Sequence, residues 1–264
     1  GDFEVALPFR YGVLGVGLTY FNEGDLTELN ENFQPTGSII ESHDLMLSFG
    51  YGAFIKLFGH TLAFGAGGKI IRQDLANVAA TGIGLDIGAV YALKHISVGA
   101  TLQNLTVSKM KFLNSEETLP ETIRGGIAFR VPLGQSFKWN VAGDAAKVRG
   151  EDGFRYYAGS EMRISDLVTV RGGYKFHDTE ASRWGAGFGV TVPMAWLAGS
   201  STDIDYAFSP IDAFDSFVHR FSFTFTFGVA QSVQPLNRTE EITRYQRELE
   251  DELRAAREAR ERMD

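Results

Sequence analysis

Between residues 3 and 229, apolar and polar side chains alternate with period two, in segments of about 9 to 13 residues separated by turn residues. In 167–177, Val168, Val170, Gly172, Tyr174 and Phe176 share one face, and Thr169, Arg171, Gly173, Lys175 and His177 share the other. The last segment places Phe221, Phe223, Phe225 and Phe227 on one side and Arg220, Ser222, Thr224 and Thr226 on the opposite side. Thirteen such segments are predicted as strands: 3–9, 11–22, 43–55, 61–72, 82–93, 96–107, 119–131, 137–148, 153–164, 167–177, 182–193, 201–209 and 216–229.

The polar face carries glycine in columns. Gly185, Gly187 and Gly189 alternate with apolar residues on the face of Arg183 and Thr191, and Gly82, Gly84 and Gly88 lie on the face of Asp86. In a soluble sandwich the polar face meets water and has little use for such columns. An aromatic-rich outer face and a polar, partly side-chain-free inner face predict a transmembrane β-barrel, with Phe221, Phe223, Phe225, Phe227, Val168, Val170, Trp184 and Tyr206 toward lipid. Connection lengths agree. Short turns fall at Arg10, 56–60, 94–95, 132–136 and 165–166, between longer loops at 23–42, 73–81, 108–118 and 149–152, although 194–199 is long for a short-turn position. With the C-terminus in the periplasm, thirteen strands put Gly1 outside, whereas single-chain bacterial barrels have even strand numbers. The expectation is therefore a fourteen-stranded barrel whose first strand, with any N-terminal plug, lies upstream of Gly1.

Composition sharpens this picture. Thirty Gly and 21 Phe in 264 residues suit thin polar walls and a greasy exterior. The absence of cysteine excludes disulfides, thiol chemistry and cysteine-based zinc sites. A net charge of -8 argues against a nucleic-acid partner. No apolar run approaches the roughly 18 residues of a transmembrane helix.

After the predicted barrel domain, 1–230, a linker at 231–237 carries Pro235, and the pattern then changes. Residues 238–264 hold seven Arg and nine acidic side chains, with Ile242, Leu249, Ala256 and Met263 at sevenfold spacing. This predicts a charged periplasmic helix, N-capped by Thr239 with Glu240 and Glu241 in its first turn. Tyr245, Leu249 and Leu253 are its candidate anchors for a periplasmic protein; the alternative is a solvated single helix.

On the polar face, hairpin geometry brings opposite charges together. Arg124 is expected opposite Asp144, Glu161 opposite Arg171 and Asp205 near Arg220, with Lys69 and Asp86 as a looser pair. Such pairs neutralise one another and pin strand register, and the same groups could line a path for a ligand or ion. Catalytic motifs are lacking. Gly65-Ala66-Gly67-Gly68-Lys69 resembles a phosphate loop, but Ile70 replaces the hydroxyl that would hold magnesium and the segment reads as strand. His43, His60, His95, His177 and His219 are scattered without metal spacing, and Asp203 with Asp205 beside Arg220 reads as a salt-bridge group. The loop 23–42 has five acidic and no basic residues, which fits a solvated loop better than a calcium site. The expectation is a non-enzymatic protein without metal or cofactor.

Several strings carry a family resemblance. Leu119-Pro120-Glu121-Thr122-Ile123-Arg124-Gly125-Gly126, Gly159-Ser160-Glu161, Val170-Arg171-Gly172-Gly173-Tyr174-Lys175, Asp205-Tyr206-Ala207-Phe208 and His219-Arg220-Phe221-Ser222 resemble, in this order, the PorV/PorQ family of outer-membrane proteins. Asp86-Ile87-Gly88-Ala89 and Gln103-Asn104-Leu105 extend the resemblance over nearly all of 1–230. It implies a fourteen-stranded barrel like that of the FadL transporters, in the bacterial outer membrane. It also implies one of two roles: type IX secretion, with translocon or cargo proteins as partners, or uptake of long-chain fatty acids. The family's Asn-Pro-Ala-Gly string is not in this chain, and the charged tail lies outside the family pattern. Inward positions rich in Gly, Thr, Ser and charges favour protein handling, with 23–42 and 108–118 as gripping loops. A structural anchor for a periplasmic complex is the third expectation.

Overall fold

The computed structural model describes residues 1–227 apart from 23–25, 31, 33, 41, 76–77, 112–115, 135, 177–182, 195–199 and 212–215. The tail expectations, including Tyr245, Leu249 and Leu253, lie outside the described residues. The described residues form strands, turns and loops and no helix. In chain order the strands are β1 (Asp2–Phe9), β2 (Gly12–Asn22), β3 (Leu26–Leu29), β4 (Pro35–Ile40), β5 (Ser42–Leu57), β6 (His60–Leu75), β7 (Val78–Ala92), β8 (Ile96–Ser108) and β9 (Met110–Lys111). They continue with β10 (Glu116–Glu117), β11 (Thr122–Leu133), β12 (Phe137–Val148), β13 (Arg155–Ile164), β14 (Val168–Lys175), β15 (Trp184–Met194), β16 (Ser200–Ile211) and β17 (Ser216–Thr226).

Thirteen of these make one antiparallel sheet, in the order β1-β2-β5-β6-β7-β8-β11-β12-β13-β14-β15-β16-β17. Every member pairs with its neighbour along the chain, apart from the two-stranded ribbons β3–β4 and β9–β10 that stand in the long connections. The thirteen segments of period-two alternation coincide with these thirteen strands to within a few residues. The edges, β1 and β17, do not pair with each other. Twelve antiparallel steps separate them, so they run in the same direction.

Short hairpins close one end of the sheet. Leu57 pairs with His60 around Phe58 and Gly59, at φ of 49° and 78°. Ser165 and Asp166, at φ of 50° and 57°, turn β13 into β14. Both have the positive-φ pair whose twist matches the flanking strands.

Two expectations are corrected. The connection at 73–81 is largely strand: Arg72 pairs with Thr81, Gln73 with Ala80, Asp74 with Ala79 and Leu75 with Val78. Arg72 and Asp74 are hydrogen-bonded to each other at 2.9 and 3.1 Å, and the ladder runs on past these polar residues to Leu75 and Val78. The second correction concerns register. The turn between β11 and β12 closes with Leu133 opposite Phe137, so Arg124 lies opposite Ala146 and Asp144 opposite Gly126.

The sheet has almost no interior. Among the described residues, six apolar side chains are buried, and no large side chain is fully so. Phe221 is 70% and Phe223 62% exposed, and Val5, Phe49, Ile87, Val98, Ile127, Val170, Trp184 and Phe188 are exposed on the same face. By register, nearly all exposed large apolar residues of the strands share this face; Phe21 and Val90 are on the other. All eight residues expected to face lipid lie on the apolar face. Since hydrophobic burial contributes little here, the interstrand ladder carries the fold, each bond adding about 0.5–1.5 kcal/mol net.

The register can be read chemically, because the chain has no cysteine of its own. An Arg124→Cys, Ala146→Cys chain should oxidise to an interstrand cross-link, since directly opposed Cβ atoms are about 4.5–5.5 Å apart. An Arg124→Cys, Asp144→Cys chain should react far more slowly. Equal rates, measured as the gel shift on oxidation, would rule out the pairing given above.

Candidate functional site on the polar face

Strand pairing lays the polar face out in rows. Asn140, Glu161, Arg171, Gly187, Ala207 and Arg220 stand side by side across six strands. The adjacent row is Ala142, Gly159, Gly173 and Gly185, with no side chain larger than a methyl. Beyond it lie Asp144, Tyr157 and Lys175. The glycine and alanine row is the floor of a depression of about 540 Å³, bordered by Glu161, Arg171, Arg220 and Val218. Its size is within the usual range for small-molecule pockets.

The charges are partnered differently from a hairpin-by-hairpin expectation. Glu161 and Arg171 are directly opposed, and Arg171 Nε stands 3.7 Å from the Glu161 carboxylate. Arg171 Nη2 then reaches Asp205 at 3.0 Å, two strands away. Gly189 makes this crossing feasible: a Cβ there would collide with the Asp205 carboxylate and stand 3.6 Å from Arg171 Nη2. Asp205 therefore pairs with Arg171, and Arg220, opposite Ala207, forms no ion pair among the described residues. Arg124 and Asp144 are not joined either. Arg124 stacks on the Tyr157 ring, 4.8 Å from its centroid, while the Asp144 carboxylate folds over Gly126. The column Gly185, Gly187, Gly189 was the one signal in the sequence that a long cation could cross β15.

Lys69 and Asp86 are diagonal neighbours and are joined at 2.8 Å, the lysine chain being long enough for the offset. Asp86 has a second duty. Between Leu85–Leu105 and Ile87–Leu102 the pairing of β7 and β8 shifts, Asn104 takes a φ of 59°, and its N–H donates to Asp86 Oδ1 at 2.7 Å. The carboxylate thus satisfies a bulge amide that the ladder leaves unpaired. Asn104 Nδ2 donates to the Pro120 carbonyl at 2.9 Å, tying down the chain that leads into β11. Glu121, next to it, accepts from Arg149 Nη1 and from the Thr106 N–H. Those two bonds, the arginine first, hold the Glu121 carboxyl below its ordinary range.

Among the described residues no group of three or more His, Asp or Glu could hold a metal ion. Neither a protein-family model nor a curated protein matches the chain. Among solved structures, CdiB from Acinetobacter baumannii overlays with a TM-score of 0.42 at 12% identity, over 84% of this chain and 49% of that one. The chain thus spans about half the length of that structure.

Two measurements probe these contacts. Arg171→Met leaves Glu161 and Asp205 without their shared cation and should destabilise by about 1–2 kcal/mol, the lower part of the range for orphaned polar groups, because the site is partly exposed. Arg220→Met should stay within about 0.5 kcal/mol. Comparable losses in denaturant titration would mean that Arg220 has a partner of its own. For Glu121, a depressed carboxyl contributes stability above the ordinary carboxylate pKa and loses it as pH falls through the lowered value. A Glu121→Gln chain should accordingly be cleaved within 109–121 faster than the unaltered chain at neutral pH. The difference should shrink as the pH falls below the ordinary carboxylate range, toward the lowered Glu121 value; a difference that does not change with pH would show that Glu121 does not hold the segment by its charge.

Proposed function

We propose that this protein is a non-enzymatic β-barrel of the bacterial outer membrane, acting in transport or export. One observation carries the reading: a thirteen-stranded meander turns its large apolar side chains outward and keeps glycine, hydroxyls and paired charges on the other face, with almost nothing buried between. Water would penalise such an exterior, and hydrocarbon would stabilise it. Open sheet edges are not tolerated in hydrocarbon. Because β1 and β17 run in the same direction, one further strand antiparallel to both closes the cylinder at fourteen.

Within this reading we favour the PorV/PorQ type, a component of type IX secretion that handles protein at the membrane surface. The small and charged inner lining supports it, as does the long connection carrying the β3–β4 ribbon, which presents edges to a protein partner. The second reading, uptake of fatty acids or other hydrophobic compounds, is favoured by the depression over Gly159, Gly173 and Gly185, which is roomy enough for a slender chain. A purified barrel that binds long-chain fatty acid without recovering a protein partner would decide for uptake. Native recovery of secretion partners or cargo would decide for export.

The membrane itself is tested by depth. Phe223→Lys should cost about 2–4 kcal/mol of folding stability in vesicles if that position is near the midplane, while Thr224→Lys, on the inner face, should be tolerated much better. Equal tolerance would overturn the orientation.

A further inference from the structure

The only buried apolar cluster among the described residues, Ala80, Met110 and Leu119 with Ile71 against it, lies on the polar face and not under the sheet. Ala80 and Ile71 belong to the inner rows of β7 and β6, but Met110 and Leu119 come from the connection between β8 and β11. At Gly82 the position of a Cβ is taken by Met110 Cγ, 2.7 Å away, and at Gly84 by Leu119 Cδ1, also 2.7 Å away. Two glycines of β7 are therefore the seats of two side chains from a loop that has turned inward. Met110 is 5% and Leu119 6% exposed, in a molecule where most large apolar residues are not covered.

The segment is held at both ends. Met110 and Lys111 pair with Glu117 and Glu116, and Glu116 is bridged by Lys111 at 3.3 Å and Lys109 at 3.5 Å. On the return, the Pro120 carbonyl accepts from Asn104 and from the Thr122 hydroxyl, each at 2.9 Å. Glu121 is clasped by Arg149, while the Arg149 N–H donates to the Glu121 carbonyl. These contacts come from β8, β11 and the end of β12, so three strands anchor a strap against a fourth. An external loop left to solvent has no need of such seats.

We propose that residues 109–111 and 116–121 form a fixed strap that narrows the long-loop mouth of the barrel and sets the size of solute that passes. The proposal rests on the membrane-barrel reading. It makes Met110 and Leu119 size-determining residues, and gives Gly82, Gly84 and the Asp86–Asn104 bulge the job of seating them. Passage is left to the region facing β12 to β17, where the glycine-floored depression lies.

The test uses the full-length protein in phosphatidylcholine vesicles, with swelling rates in a neutral monosaccharide and a neutral tetrasaccharide. Gly84→Leu fills the seat of Leu119, and Leu119→Ser removes the side chain that occupies it. Each should raise the tetrasaccharide rate several-fold relative to the monosaccharide rate. Variants that insert with the heat-modifiable mobility of the unaltered barrel, yet keep its rates, would overturn the strap alone. Failure of the unaltered full-length protein, with the strand that closes the cylinder, to insert would overturn the membrane reading and the strap with it. Should the two variants fail to insert, a Gly82→Cys, Met110→Cys chain replaces them: reduction of its tether should quicken tetrasaccharide entry, and identical rates oxidised and reduced would refute the proposal.

Discussion

Hydrogen bonding between successive antiparallel strands is the interaction on which the rest of this structure depends, because little else is available to hold it. A domain of this length ordinarily folds around a buried apolar core. Here the apolar side chains of the strands share one exposed face, the other face is lined by glycine, hydroxyls and charges, and the layer between the faces is a single sheet thick. The ladder is also local. With each strand of the large sheet paired to the next one along the chain, assembly can proceed hairpin by hairpin, without the loop-closure cost of distant pairings.

The polar face repeats this logic with charges. Where the sheet is free of side chains, long cations can cross it, as Arg171 does over Gly189 to reach Asp205. One guanidinium then ties β13, β14 and β16 together, a link no single hairpin could supply. Asp86 makes a similar join between β6 and β8, taking Lys69 on one oxygen and the Asn104 amide on the other. These groups read best as register pins that leave the glycine floor clear. Their placement bounds what the inner face can accept: a slender or extended body can approach the backbone over the row from Ala142 to Gly185, whereas the face near β7 is occupied by the chain's own Met110 and Leu119.

The two halves of the sheet are thus built for different work. Strands β5 to β8 are long, project beyond their neighbours and receive a connection folded back on them. Strands β12 to β17 are shorter and keep the depression open. This asymmetry of the polar face follows from placing small residues in two separate columns, one serving as a seat and the other as a floor.

Alternation by itself determined the thirteen strands, their order, and which face of each is apolar, because side-chain direction has period two and sequential hairpins pair without choice. Phe221, Phe223 and Phe225 could face only one way once their strand was recognised. Register within a hairpin was another matter. It depends on how many residues the turn consumes, and a shift of two between Leu133 and Phe137 preserves every face while moving Arg124 away from Asp144. Long side chains added a second freedom, since Arg171 and Lys69 can each satisfy a partner that is not directly opposed. The placement of 109–111 and 116–121 against β7 was decided by tertiary structure alone. Met110 lies in a connection without periodicity, and Leu119, which alternation joins to Ile123 and Ile127 in a strand from 119, precedes β11 and packs on the polar face instead; the complementary feature, two glycines on β7, lies more than twenty residues earlier in the chain. Only when β7 and β8 are side by side does the absence of two side chains become a place for two others.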